Sequence, residues 1–184
     1  MEMSKIGGDK RARLTEELAD LALQGGLEAL CLRPAAARLG TSDRMLLYYF
    51  GTKAVLLDEV LGCIADRFAA YLADSTRNVR IPPHQMVGHT SALMAKAEAR
   101  PFVELWFEIA ARAVRGDAIF AAAAARIAEG WNDWIVRSVH FPAGTASRSA
   151  AAMMLAIVNG LALLESAAPS VAAAARSRVQ AAAA

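Results

Sequence analysis

A chain of 184 residues with 56% hydrophobic composition has enough apolar material for one compact body carrying a small head, rather than two independent domains. The formal net charge is +2, and over residues 1–60 eight Lys or Arg stand against nine Asp or Glu, so the N-terminal third is not a basic domain. Two distant cysteines, Cys31 and Cys63, exclude a disulfide framework and match a reducing cytoplasm; the three histidines have no metal-ligand spacing, and the N-terminus has no apolar h-region of a signal peptide.

In chain order, Leu14, Leu18, Leu21 and Ala22 recur at helical spacing and stop at Gly25-Gly26, with Lys10, Arg11 and Arg13 ahead of the helix and Leu27 and Leu30 anchoring the connection after it. The stretch Leu32 to Lys53 is laid out as two short helices joined by a glycine turn. Ala36, Ala37 and Leu39 offer a small packing face, Gly40 the left-handed backbone, and Ser42 a hydroxyl cap for the next helix. Cys31 is a poor cap for the first of the pair, and Pro34 falls in its first turn, where a missing N–H does no harm. Met45, Leu46, Leu47, Tyr48, Tyr49 and Phe50 then run to a stop at Gly51. A helix of about two turns is not stable alone in water, so its neighbours must hold it.

A longer helix opens at Lys53, with Val55, Leu56, Val60, Ile64 and Phe68 on its inner side. Asp74 to Arg80 is a polar connection. Pro82-Pro83 starts a helix to about Ala99, Pro101 another to about Arg115-Gly116, and an Ala-rich helix runs from Asp117 to about His140, before Pro142 and Gly144. Thr145 to Ala168 and Ser170 to about Gln180 are the last two segments, with a fraying tail beyond them. No alternating strand pattern occurs, so the expected fold is all-α: a three-helix head with a helix-turn-helix over residues 1–52, and a helical body over 53–184.

Residues of about 10 to 60 resemble the DNA-binding domain of TetR-type transcriptional regulators. Ala36-Ala37-Arg38-Leu39-Gly40-Thr41-Ser42, Leu46-Leu47-Tyr48-Tyr49-Phe50 and Lys53 stand where that family has its A-A-x-x-G-V-S turn, its T-L-Y-Y-H-F run and the basic residue beyond. Asp43, Arg44 and Met45 replace the family's usual Lys, Gly and Thr, and Leu47 and Tyr49 replace its first Tyr and its His, so base preference should differ. The resemblance implies a homodimer made by the last two helices, a double-stranded palindromic operator, and release by a small molecule.

The chemistry of the residues suggests their roles. Arg44 can fork onto guanine O6 and N7, and Met45 can touch a thymine methyl. Ser42, Tyr48 and Tyr49 can reach phosphates, and Arg33 and Lys53 add charge around the pair. Asp43 accepts from cytosine N4 or caps the helix dipole; Tyr48 and Phe50 read equally as contacts or as core. Between Phe102 and Trp134 aromatic residues are dense, and Met86, His89, Met94, Phe102, Leu105, Trp106, Phe120, Trp131 and Trp134 are the candidate lining of a pocket for a small apolar effector. Glu108 and Asn132 are further candidates to orient a ligand.

The uncharged run from Ser149 to Leu164 is shorter than the roughly 20 residues a membrane span needs. Asn159-Gly160 interrupts it, so Met153, Met154, Ile157, Gly160, Leu161 and Leu164 read better as a dimer interface than as a span. No cofactor, metal or membrane partner is expected. His89, Glu104 and Glu108 come with no nucleophile motif or phosphate loop, so an enzyme is not expected. Together these readings point to a cytoplasmic, ligand-responsive repressor. The low charge of the head keeps open an alternative, an all-helical small-molecule carrier or sensor that no longer binds DNA.

Overall fold

Why the helices form is legible in their ends. The computed structural model describes residues 2–77 and 79–183, and Asn78, in the polar connection, lies outside them. Its helices are α1 (Glu2–Gly25), α2 (Leu32–Arg38), α3 (Asp43–Phe50), α4 (Lys53–Ser75), α5 (Pro83–Met94), α6 (Arg100–Val114), α7 (Ala118–Ser138), α8 (Ser147–Ala167) and α9 (Pro169–Ala183). A short 3-10 helix, Leu27–Leu30, comes after α1. Among the described residues the only extended pairing is an isolated parallel bridge between Ile81 and Val139. The all-α expectation holds.

Two compact units share these helices. One comprises the residues up to Arg67 together with Glu104–Ala125; the other comprises Phe68–Val103 and the residues from Arg126 onward. In the first, Leu14, Leu18 and Ala22 of α1, at i, i+4 and i+8, are buried with Leu30, Ala35, Ala36, Leu46 and Phe50, so the short helices root their apolar sides in a common core. In the second, α5, α8 and α9 pack on one another. Phe68 stacks on Tyr71 and on Phe102, with ring centroids 5.9 and 4.9 Å apart, and lies 5.1 Å from the ring of Trp131.

Several boundaries differ from the sequence expectation. Lys10, Arg11 and Arg13 lie within α1 and do not precede it. There Arg11 pairs with Glu59 of α4, and Arg13 pairs with Glu17 one turn on. The α5 helix stops at Met94 and not at Ala99. Nothing in Ala95-Lys96-Ala97-Glu98 breaks a helix, but turns through Ala95, Lys96 and Ala99 bring Ala99 into the core, and burial overrides propensity. The tail beyond Gln180 is helical to Ala183, as part of a helix that buries Ala172 and pairs Arg176 with Glu165. Val55, expected on the inner side of α4, is exposed.

Candidate nucleic-acid interface

A left-handed glycine makes the turn between α2 and α3: Gly40 has φ 61°, and no Cβ obstacle surrounds it, so backbone conformation alone calls for glycine there. Ser42, extended at φ −119° and ψ 156°, then accepts a hydrogen bond from the Met45 N–H at 3.2 Å. Asp43 accepts from the Arg44 N–H at 2.9 Å and lies 3.7 Å from Arg33, so it serves the start of the helix. Gly51, at φ 77°, ends α3 by donating its N–H to the Leu47 carbonyl at 2.8 Å. Ser42→Ala should lower stability by about 1 kcal/mol through the lost cap, measured by chemical denaturation; an unchanged midpoint would argue against the capped start.

Packing divides α3 into a buried root and an exposed side. Leu46 and Phe50 are buried, while Arg44 is exposed, Met45 is 39% exposed and Tyr48 is 76% exposed. Phe50 is therefore core and Tyr48 is not. The Tyr48 ring meets Tyr49, which is half-buried, edge-on at 5.3 Å. Ser42, Arg33 and Lys53 are exposed. Thr52, not among the residues expected from sequence, accepts from the Val55 N–H at 3.2 Å and so caps α4 beside Lys53; its hydroxyl three residues before an apolar residue was the available signal. Arg38, in the last turn of α2, is an exposed cation that was likewise not among the expected site residues.

The low net charge of the N-terminal third resolves into pairs. Glu59 is engaged by Arg11, Glu17 by Arg13, and Glu16 and Asp20 by Arg67, whose hydrogen bond holds the Glu16 carboxyl below its ordinary value. Arg38, Arg44 and Lys53 have no acidic partner within salt-bridge distance among the described residues. Glu16, Glu17, Asp20 and Glu59 are thus engaged by cations of α1 and α4, and among the described residues Arg38, Arg44 and Lys53 are left without an acid at salt-bridge distance.

The expected effector residues divide between the units. Met86, His89, Met94, Phe102, Trp131 and Trp134 belong to one unit, and Leu105, Trp106 and Phe120 to the other. Met86, Met94, Leu105, Phe120, Trp131 and Trp134 are buried. Phe120 carries the Arg112 guanidinium over its ring at 5.0 Å, and the Trp134 indole N–H donates to Thr76 Oγ1 at 3.1 Å. Glu108, a candidate to orient a ligand, instead accepts the Leu27 N–H at 2.8 Å. Three buried polar atoms, His89 Nε2, Ser91 Oγ and Asn132 Oδ1, have no hydrogen-bond partner among the described residues.

Burial lowers the pKa of His89 from its ordinary 6.5, and the charge of Lys96 adds to the effect, so the ring is neutral at pH 7. The unfolded chain takes up that proton first. Stability is therefore complete above about pH 6.5, falls as pH drops through that value, and levels off once the folded ring also titrates. His89→Gln should flatten this part of the melting-temperature profile; an identical profile would remove His89 as its source.

Of the expected dimer residues, Met153 is 65% exposed, Ile157 and Gly160 are exposed, Met154 and Leu164 are half-buried, and Leu161 is buried within its own chain. The α8 helix has mean hydropathy 1.7 over an 18-residue window of which only 17% is buried, and it is long and apolar enough to cross a membrane by length and composition.

No protein-family model and no curated protein sequence matches the chain. Solved structures do. One, described as a TetR-family transcriptional regulator from Rhodococcus sp., matches with TM-score 0.70 at 21% identity, covering 94% of this chain and 95% of that one. A structure described as a transcriptional regulator from Saccharomonospora viridis in complex with choline matches at TM-score 0.64 and 16% identity over 94% of each chain. The multidrug binding protein EbrR, complexed with imidazole, matches at TM-score 0.65 and 18% identity over 95% of this chain and 89% of its own. A capped, outward-facing short helix in the N-terminal unit, within an all-helical chain that superposes on these proteins almost end to end, is the fold of the TetR-type transcriptional regulators.

Proposed function

We propose that the protein is a cytoplasmic, homodimeric transcriptional repressor that binds a palindromic operator through residues 1–52 and is released by a small, largely apolar molecule held in residues 53–184. The observation that carries this reading is α3: eight residues rooted by Leu46 and Phe50, offering Arg44, Met45 and Tyr48 to solvent with no acid partner on Arg44 among the described residues. Arg44 and Met45 read base edges, Ser42, Tyr48 and Tyr49 bind phosphate, and Arg33, Arg38 and Lys53 add charge. Asp43 caps the helix.

The effector reading is supported by the orphaned atoms of His89, Ser91 and Asn132, each costing about 1 to 3 kcal/mol if left unmet, together with the aromatic cluster of Phe68, Phe102 and Trp131. A ligand with an apolar body and one or two hydrogen-bonding groups meets both needs. Two of the neighbouring structures hold small molecules, choline in one and imidazole in the other.

Dimerisation through α8 and α9 is supported by the outward Met153, Ile157 and Leu163 of α8 and Val171 of α9, with Gly160 leaving room for close approach and Leu161 supporting the face from beneath. Met153→Glu should convert a dimer to a monomer in sedimentation while leaving helicity intact; a variant that stays dimeric would move the interface elsewhere. The function is tested by a mobility shift with the DNA upstream of the protein's own gene at low and moderate salt. A sequence-specific shift supports the repressor, and no shift at any salt supports the carrier.

A further inference from the structure

Where α4 ends, the chain reaches Arg80 through Val79 and lies against the last turn of α7, leaving an open groove of about 410 Å³. Its polar lining is Thr76, Arg80, Arg137 and Ser138, with Trp134 beside them. Ala73 and Val79 supply an apolar wall. Among the described residues the lining contains no acidic side chain. Arg137 has no hydrogen-bond or ion-pair partner among the described residues, whereas Arg77, Arg112, Arg148 and Arg176 each pair with an acid. Among the described residues Arg80 reaches only the Val139 carbonyl, at 3.4 Å.

Arg137 lies in the last turn of α7, so a purely structural role is to offset the negative end of the helix. Three of the carbonyls at this junction, however, already have donors. Ser138 O accepts from the Ile81 N–H at 2.8 Å, Ile81 O from the His140 N–H at 3.1 Å, and Thr76 O from the Val79 N–H at 3.1 Å. The hydroxyls of Thr76 and Ser138 lie 3.2 Å apart, and the Trp134 indole N–H donates to Thr76 Oγ1, so the floor is set by its own bonds. What is left with donors to spare is the two guanidinium groups.

We infer that this groove binds a small organic carboxylate with a flat apolar body, its carboxylate between Arg80 and Arg137 and its body against Ala73, Val79 and the edge of Trp134. Guanidinium presents paired N–H donors that match a carboxylate, whose two oxygens can accept from two arginines at once. The site is separate from the His89 and Asn132 atoms assigned to the apolar effector, and its occupancy is read on the protein without DNA, so it stands or falls independently of the repressor reading.

The test is titration of 2-naphthoate into the full chain by calorimetry, with the Trp134 indole N–H resonance, assigned through Trp134→Phe, followed by NMR. One molecule per protomer is expected to bind at about 1 mM or tighter, the level that about 13 non-hydrogen atoms give at ordinary ligand efficiency, with the Trp134 resonance moving. Arg80→Gln and Arg137→Gln should each weaken binding about ten-fold or more, while Arg115→Gln, outside the groove, leaves it unchanged. The neutral 2-naphthalenemethanol should bind far more weakly to the wild-type chain. Equal binding of the alcohol, affinity held within about two-fold in both groove variants, or binding that leaves Trp134 unmoved would each overturn the assignment.

Discussion

Replacing Gly26 by alanine is expected to destabilise the protein by about 2 to 4 kcal/mol, because two independent costs fall on one methyl group. Gly26 sits at φ 68° and ψ −169°, a region that essentially only glycine occupies, and forcing another residue into it costs about 1 to 3 kcal/mol. A Cβ there would also collide with Glu108 Oε1 and lie 2.9 Å from Oε2. The carboxylate would have to swing away and release the Leu27 N–H that it accepts at 2.8 Å. That hydrogen bond is solvent-exposed and worth about 1 kcal/mol.

The two costs separate in a double-mutant cycle. Glu108→Ala alone loses only the hydrogen bond, and in that background Gly26→Ala loses only the backbone term, so the double variant is less destabilised than the sum of the singles. Strict additivity would mean that the Glu108 carboxylate does not occupy the place the structure assigns it. Because Glu108 belongs to α6 and Leu27 comes just after α1, this contact also fixes the start of the 3-10 helix that leads into the helix pair.

Arg44→Ala is expected to weaken operator binding by about 1 to 3 kcal/mol per guanine contact, and by about twice that in a dimer reading two half-sites, with base preference flattened at the contacted position. The side chain is exposed and pairs with no acid among the described residues, so melting temperature should stay the same and the loss reports recognition rather than folding. Lys53→Ala should act differently: a roughly uniform loss across sequences and a salt slope lower by about one unit per contact. Retention of full affinity and base preference in Arg44→Ala would remove α3 as the reading helix.

Much of this was legible because the determinants are local. The Ser42 cap, the Gly40 turn and the Gly51 stop act within a few residues of themselves, so the positions of α2 and α3 can be read from a dozen consecutive letters. Tyr48 and Phe50 were not separable in that way. They lie two apart on one helix, and only packing against α1 and α2 decides that Phe50 is core while Tyr48 faces water. The end of α5 was hidden for a similar reason: Ala99 is drawn into the core against the helical preference of the residues before it.

Charge shows the same division at longer range. An all-helical chain, a capped two-turn helix and a near-neutral N-terminal third were all written in the residue order, because caps, glycines and apolar spacing work over one or two turns. Apart from the i,i+4 pair of Arg13 and Glu17, which charges are free was a matter for packing. Arg11 meets Glu59 across 48 positions, Arg67 meets Glu16 across 51, and Glu108 meets Leu27 across 81, pairings that no local pattern encodes and that depend on where packing brings each helix.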